Sequence, residues 1–346
     1  MKHLLILFLL ILLLATPVYG ADFSPPPAPD EAIAYLPDET ENFSQGLLFV
    51  IGKAIEKVKP ELTEGLRICV SLIAVALSVG ILRCFSQTVS PTVSIGGCTV
   101  VSLILLQPTK ALIHLGGQSV VQISQYGKLL LPVMTGAMAA QGAVTKSAAL
   151  YTATTFFDML LCTCVEKLLL PLVYIFICVA VVSRIFPGQI LEELRKFLKW
   201  LMTWGLKTLL YVFTGYIGIT GIVAGNTDAA LLKATKLTIS GMVPVVGGIL
   251  SDASEAVLVS AGLVRNSVGV YGLLTVTALW IGPFLEIGVQ YLCVKLTGGI
   301  CRMFCPKPMA DIMGDYSETM GLLLAMTGAM CLIVLISTVC FMKGVA

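Results

Sequence analysis

The chain has 346 residues, of which 57% are hydrophobic and only 12% are charged, and its formal net charge is +2. Soluble domains carry about 25% charged residues, so this chain has too few polar side chains to cover a water-soluble particle of its length. The composition predicts an all-α, polytopic helical membrane protein. The small net charge provides no basic field, so nucleic acid is not an expected partner.

Catalytic and metal-binding patterns are missing from the sequence. The 11 cysteines and 2 histidines lack the paired spacing of a zinc site, and most cysteines lie in apolar runs, where the thiol acts as a small hydrophobic group. Residues 241–248 resemble a phosphate-binding loop only in their glycine content, since no Gly-Lys-Ser or Gly-Lys-Thr follows. We therefore expect no catalytic residue, no cofactor and no metal site.

Residues 1–20 have the layout of a signal peptide. A short basic start with Lys2 precedes an uninterrupted apolar run, and Val18 and Gly20 occupy positions −3 and −1 of a cut before Ala21. An uncleaved first helix is the alternative.

Residues 21–65 form an exported leader followed by an amphipathic helix. The leader is acidic and rich in proline, which predicts a stiff, extended segment. Leu47, Ile51 and Ile55 then recur at helical spacing against Lys53 and Glu56, which predicts a helix lying on the outer membrane surface. A simple extension of the first span is the alternative.

Residues 66–346 form a multi-span membrane domain. A span needs about 20 apolar residues, and the qualifying segments are 66–82, 93–113, 119–143, 148–165, 168–185, 204–224, 268–292 and 320–341. We expect about seven to eight transmembrane helices, because Pro108 and Pro132 interrupt two segments and Glu166 and Lys167 leave only a tight turn between two others. Half-helices that meet inside the bilayer are the alternative for two of them.

Basic residues orient these spans. If the acidic leader is outside, one set of basic residues falls inside, as the positive-inside rule requires: Arg83, Lys146, Arg184, Arg195, Lys196, Lys199, Lys295, Arg302 and Lys307. The same alternation places residues 225–267 outside, as an extracytoplasmic or re-entrant segment. Residues 189–204 have one apolar and one charged face, which predicts a cytoplasmic docking helix or a helix resting on anionic headgroups.

Residues 239–258 are apolar enough to enter a membrane but contain helix-breaking positions. The breaking residues are Gly241, Pro244, Gly247 and Gly248. Such a broken backbone is tolerated at membrane depth only where protein or water covers it. Ser251 is predicted to N-cap the next helix, with Asp252 and Glu255 near the positive end of its dipole, so these acids need no ligand.

Two further sets of residues stand out within the spans. Ionisable groups there cost about 2.5–3.5 kcal/mol each, and the candidates for lining an aqueous pathway are Lys128, Asp158 and Glu286, together with Pro283, which would kink its span. The alternative is that each acid pairs with a neighbouring helix or lies near a membrane interface. Small residues at helical spacing predict close helix packing, within or between subunits: Gly215, Gly218, Gly221 and Gly225.

The densest pattern lies in residues 236–272. It comprises Gly241, Val243-Pro244-Val245-Val246-Gly247, Ser251-Asp252-Ala253, Glu255 and Asn266-Ser267-Val268-Gly269. In these residues the chain resembles the stage III sporulation protein AE family of endospore-forming bacteria. The layout of signal peptide, acidic leader and many spans also matches that family.

The resemblance implies a membrane subunit of a secretion-like channel complex that joins mother cell and forespore and is needed for late forespore development. It implies a location in the mother-cell membrane surrounding the forespore. The implied partners are the other stage III sporulation A proteins, namely an AA-type ATPase, small membrane subunits and the AG and AH ring proteins, and indirectly stage II protein Q. The lipid bilayer is a further expected partner, and a second copy of the chain in a homo-oligomer is another. The alternative function is an autonomous secondary transporter or permease for a small solute.

Overall fold

The computed structural model describes residues 24–37, 43–85, 90–141, 143–186, 188–242 and 247–343, with the backbone alone at 84–85, 90–91, 217–242, 247–265 and 343. Within these ranges the regular structure is helical throughout. A backbone surrounded by apolar groups must find its hydrogen-bond partners inside its own segment, and a helix satisfies this condition.

A short helix, α1 (Asp30–Ile33), precedes the long helices. These are α2 (Phe43–Phe85), α3 (Ser90–Ala140), α4 (Val144–Cys164), a π-helical turn (Val165–Leu169), α5 (Leu170–Ile185), α6 (Gln189–Met242), α7 (Gly247–Cys301) and α8 (Lys307–Lys343). Among the described residues, five stretches are long and apolar enough to cross a membrane: Phe43–Arg83, Thr92–Ala140, Val144–Ile185, Asn266–Cys301 and Lys307–Met342. The helical membrane class is thus supported, whereas a count of seven to eight spans is not.

The predicted second and third spans are one helix. α3 continues through both Pro108 and Pro132, so the predicted break at Pro108 is wrong. Each proline removes one backbone hydrogen bond, but α3 packs against both α7 and α8. Neighbouring helices of this kind make proline tolerable inside membrane helices.

The predicted fourth and fifth spans are also continuous. The tight turn expected at Glu166 and Lys167 is instead a π-helical turn between α4 and α5, which adds one residue without reversing the chain. Pro171 follows shortly and has no N–H to donate to the carbonyl of Lys167, which fits a widened turn at this point.

The leader and the first span differ from the prediction in two ways. α2 is unbroken from Phe43 to Phe85, so the amphipathic stretch is an extension of the first span and not a separate surface helix. The leader is not extended throughout, because α1 packs against α7 and Ala32 is completely buried. The signal peptide, residues 1–20, lies outside the described residues and stays a prediction.

α7 and α8 form the centre of the bundle. In their most apolar windows 56% and 61% of the residues are buried, against 33–39% in the other three stretches. α8 contacts α3, α4, α5, α6 and α7. The stretches formed by α2, by α3 and by α4 with α5 therefore lie further out and expose more of their residues.

Continuity of α3 also changes the predicted orientation. Arg184 and Arg302 both bind Asp311 near the start of α8, so they share one end of the bundle. Arg83 and Lys146 flank α3 on opposite sides, and its 51 residues span about 76 Å. Lys146 therefore lies at the other end from Arg83, and its predicted place among the inside basic residues is wrong.

The contact of α2 with the connection between α7 and α8 can be tested at Gly80. A Cβ there would lie 2.7 Å from the carbonyl oxygen of Phe304, so a backbone would have to move. We expect Gly80→Ala to lower the free energy of unfolding by about 1–3 kcal/mol, as overpacking does, measured by thermal unfolding in detergent.

Gly52, on the same helix, is the matched control. Nothing lies within 4 Å of a Cβ built at this position, so Gly52→Ala should be neutral or stabilising by up to about 1 kcal/mol. Equal melting temperatures for the two alanine variants would contradict the close approach at Gly80.

Candidate functional site

One exposed face of α3 is polar over a length comparable to a bilayer. It consists of Gln107, Lys110, His114, Gln118, Gln125 and Lys128, all exposed, and is called here the α3 polar face. Their spacing of three, four or seven residues aligns them on one side of the helix. From Gln107 to Lys128 the face extends about 32 Å, close to the thickness of a hydrocarbon core.

This face differs from that of the neighbouring outer helix. The most exposed side chains of α5 are apolar, including Ile175 at 49% and Val182 at 43% exposure, so α5 can face lipid chains. Amide, imidazole and ammonium groups cannot be solvated by lipid chains and instead border water or other protein. The α3 polar face therefore marks the side of the bundle that faces water or another polypeptide.

A cavity of about 740 Å³ adjoins this face, bounded by residues of α1, α2, α3 and α7. Four glutamates line it: Glu31, Glu56, Glu61 and Glu286. Lys57 is its single basic lining residue, so it is called here the acidic cavity. Gln118 belongs both to its wall and to the α3 polar face, which makes the two features continuous.

The local sequence of α7 shapes the cavity wall. Pro283 has no backbone N–H, so the carbonyl of Leu279 loses its helical partner on the side where Leu279 lines the cavity. Gly282 has no side chain, and the ring of Tyr35 fills the space beside it. Burial, and then repulsion from Glu286 and Glu61, raises the pKa of the Tyr35 phenol, so the hydroxyl stays neutral.

The four predicted pathway residues occupy three different places. Pro283 and Glu286 both line the acidic cavity, and Lys128 belongs to the α3 polar face. Asp158 is only 1% exposed and accepts a 2.7 Å hydrogen bond from the hydroxyl of Ser124. Its position between α4 and α3 fits the alternative in which an acid pairs with a neighbouring helix.

The predicted signature segment is described only in part. α6 ends at Met242 and α7 begins at Gly247, while Pro244 lies outside the described residues. Ser251 lies inside α7, four residues after its start, so its predicted role as N-cap is wrong.

The other signature residues are all helical. Gly241 belongs to α6, and Gly248, Asp252 and Glu255 belong to α7, with surroundings outside the described residues. Asn266 is exposed, whereas Gly269 is buried against Met342 and Met134.

The predicted glycine stripe on α6 has one described member. A Cβ at Gly215 would meet nothing within 4 Å, so within the described part of the subunit this position is not a packing contact. Packing between subunits remains the open alternative there. Gly218, Gly221 and Gly225 are helical, with surroundings outside the described residues.

A charged cluster at the start of α8 was not predicted. Asp315, with its side chain 5% exposed, contacts both Arg184 (3.3 Å) and Arg195. Arg195 also donates a 2.7 Å hydrogen bond to Glu192, which holds the pKa of that carboxyl below its ordinary value. Arg184 also contacts Asp311 at 3.5 Å. These bonds fasten the turn between α5 and α6 to α8.

The same cluster bears on the predicted helix at residues 189–204. Glu192 and Arg195 bind within the bundle, whereas the aromatic residues Phe197, Trp200 and Trp204 are more than half exposed. Trp200 and Trp204 stack with ring centroids 5.6 Å apart. Exposed tryptophans are typical of the membrane interface, so this pattern favours the headgroup interpretation over a docking helix.

The charged cluster gives a stability prediction. Asp315→Asn leaves two partly buried guanidinium groups without their shared carboxylate, so we expect the free energy of unfolding to fall by about 3 kcal/mol, measured by thermal unfolding in detergent. Glu193→Gln is the matched control, because the pair of Glu193 with Lys196 is exposed on both sides and should contribute nothing measurable. A melting temperature of Asp315→Asn equal to that of the control would show that the cluster does not fasten α8.

The fold and site together define a polytopic helical membrane protein with a polar face and an acidic cavity. Among the described residues, no group of three or more His, Cys, Asp or Glu side chains could hold a metal ion. The chain belongs to the stage III sporulation protein AE family, whose family model matches residues 38–344. This is a sporulation family and not a known enzyme family.

One curated relative supports this assignment. The stage III sporulation protein AE of Bacillus subtilis (strain 168) is 20% identical over 220 residues, which is 64% of this chain and 55% of the relative. The match thus spans about half the length of that relative. No solved structure matches the chain.

Proposed function

We propose that this protein is a channel-type or structural membrane subunit of a sporulation complex and not a catalyst. The observation that carries the proposal is the α3 polar face, because its six polar residues lie on a helix that is otherwise apolar enough to cross a membrane. Such a face requires water or a partner protein beside it. A pathway component and an assembly subunit both meet this requirement.

The family supplies the setting of the proposal. The complex would link mother cell and forespore, with this subunit in the mother-cell membrane around the forespore and needed for late forespore development. Its proposed partners are the other stage III sporulation A proteins, including the AA-type ATPase, the small membrane subunits and the AG and AH rings, with stage II protein Q contacted indirectly. The α3 polar face is the surface most suited to border such a partner or the aqueous path.

The water-bordering role predicts a pattern of cysteine accessibility. In a background without native cysteines, single cysteines at Gln107, His114 and Gln125 should react with a hydrophilic maleimide in membranes of sporulating cells. Cysteines at Ile175 and Val182 on α5 should not react, because thiolates do not form in lipid chains. Equal labelling of the two helices would contradict a water-lined α3.

A second prediction tests the need for polarity. The triple variant Gln107→Leu, Gln118→Leu, Gln125→Leu keeps a helix-forming surface but removes its hydrogen bonds. We expect heat-resistant spores and a late forespore reporter to fall by at least about tenfold, since each unmade polar contact costs about 1–3 kcal/mol. The subunit should also bring fewer complex members with it in mild detergent.

The matched control for this variant replaces the same three glutamines by asparagine. Asparagine keeps the amide and its donors and acceptors, so sporulation should stay close to normal if polarity is what matters. Normal sporulation and co-purification of the leucine variant, at unchanged protein level, would refute the proposal.

The acidic cavity favours one alternative function. Its volume of about 740 Å³ falls within the roughly 300–1,000 Å³ of small-molecule sites, so an autonomous transporter of a small solute is the second candidate. Solute uptake by the purified protein alone in liposomes would favour the transporter. Recovery of the protein as a lone monomer from sporulating cells would argue in the same direction.

A further inference from the structure

The exported leader folds back over the acidic cavity. Residues 29–36, called here the leader strap, contain the single turn α1, and Glu31, Ala34 and Tyr35 form part of the cavity wall. The remaining wall belongs to the long helices α2, α3 and α7. The strap is therefore the one part of the described wall that is not built into the helix bundle.

Three side-chain contacts hold the strap in place. The amide Nε2 of Gln122 on α3 donates a 2.8 Å hydrogen bond to Glu31. The ammonium group of Lys57 on α2 lies 4.1 Å from the centroid of the Tyr35 ring, a cation–π contact. Ala32, within the strap, is completely buried where α1 packs against α7. Each contact joins the strap to a different neighbour.

The ring of Tyr35 packs against a glycine on α7. A Cβ built at Gly282 would lie 2.9 Å from the Tyr35 hydroxyl and 3.4 Å from the ring carbon that carries it. The ring thus lies directly on the helix backbone, and any side chain at position 282 would displace it. Glycine at this position thus leaves room for the Tyr35 ring, and the reason is close approach and not backbone conformation.

The strap is weakly held compared with the bundle. Its helix has four residues, and no side chain caps it. Ile33 is 56% exposed, and the bond between Gln122 and Glu31 is exposed as well. Segments with few buried contacts and exposed hydrogen bonds open at a lower free energy than the core.

We propose that the leader strap is a displaceable lid over the floor of the acidic cavity, which is covered when Tyr35 packs on Gly282 and uncovered when the ring leaves. Gln118 in the cavity wall is exposed, whereas Ala278 is buried, so opening joins the cavity floor at Ala278 to the water beside Gln118. The closed and open states differ in the strap alone and leave α2, α3 and α7 in place. A role of the opened cavity in a channel rests on the proposed function. The movement of the strap does not depend on that function.

The test measures water access to the cavity floor in the full chain. Ala278 lines the cavity and is 1% exposed, so Ala278→Cys in a cysteine-free background reports opening through its rate of reaction with a hydrophilic maleimide in membranes. Tyr35→Ala removes the ring, and Gly282→Val fills the space beside α7 that the ring occupies. We expect either change to raise the labelling rate by about tenfold, through loss of the cation–π contact and of ring packing.

Two control variants separate the lid from general loosening. Tyr35→Phe keeps the ring on Gly282 and should label slowly. Gly288→Val lies on the same helix, where a Cβ would meet nothing within 4 Å, and should also label slowly. Because Tyr35→Ala and Gly282→Val alter opposite sides of one contact, either one decides the question if the other does not accumulate.

Two results would contradict the proposal that the strap is a lid. One is slow labelling in Tyr35→Ala and Gly282→Val, equal to that with the intact strap. The other is fast labelling with the intact strap. The outcome is separable from the proposed function, because the forespore reporter in the glutamine variants reports the function and the labelling rate reports the strap.

Discussion

A backbone amide inside hydrocarbon has no water to bond, and this constraint accounts for the architecture more than any single contact does. It explains why the chain keeps helical hydrogen bonding through Pro108 and Pro132 in α3, where a soluble protein would usually turn. It also explains the π-helical turn at Val165–Leu169, which absorbs an irregularity without exposing a reversal of the chain. Long uninterrupted helices keep the backbone amides hydrogen-bonded at the lowest free-energy cost.

The same constraint sorts the charged side chains into two groups. Asp315 is surrounded by Arg184 and Arg195, so its charge is neutralised within the bundle. Buried charges arranged in this way act as fasteners between elements, because removing one partner leaves another uncompensated. The residues of the α3 polar face have no such enclosure and lie exposed. The first group is therefore structural, and the second points outward to water or protein.

The structural class, a helical membrane protein, was predictable from the sequence. Which predicted spans join into one continuous helix was not. Composition alone predicts a helical membrane protein, since 12% charged residues cannot cover a soluble particle. Whether Pro108 ends a helix depends on what packs beside it, and that information lies in α7 and α8, more than a hundred residues away. The same holds for Arg195 and Asp315, which are 120 residues apart. A rule based on local spacing cannot detect such pairs.

The site was partly predictable for related reasons. Pro283 and Glu286 were identified as intramembrane irregularities, and both line the acidic cavity. Asp158 carried the same signal but is bonded to Ser124 inside the bundle. The α3 polar face was missed because the residues around Pro108, including Gln107 and Lys110, were interpreted as an interruption of the second span. Its signal, the recurrence of polar side chains at spacings of three, four or seven residues up to Lys128, is present in the sequence.

The chemistry of the polar residues explains why the α3 polar face requires an external neighbour. Buried hydroxyls of the central helices are satisfied locally: Thr277 bonds the carbonyl of Leu273, Thr319 that of Asp315, and Thr338 that of Val334. A short hydroxyl side chain reaches the carbonyl four residues back. The long side chains of glutamine, lysine and histidine extend away from the helix instead. Their hydrogen bonds must be completed by water or by another chain. The glutamine, lysine and histidine side chains on α3 therefore require an external hydrogen-bond partner.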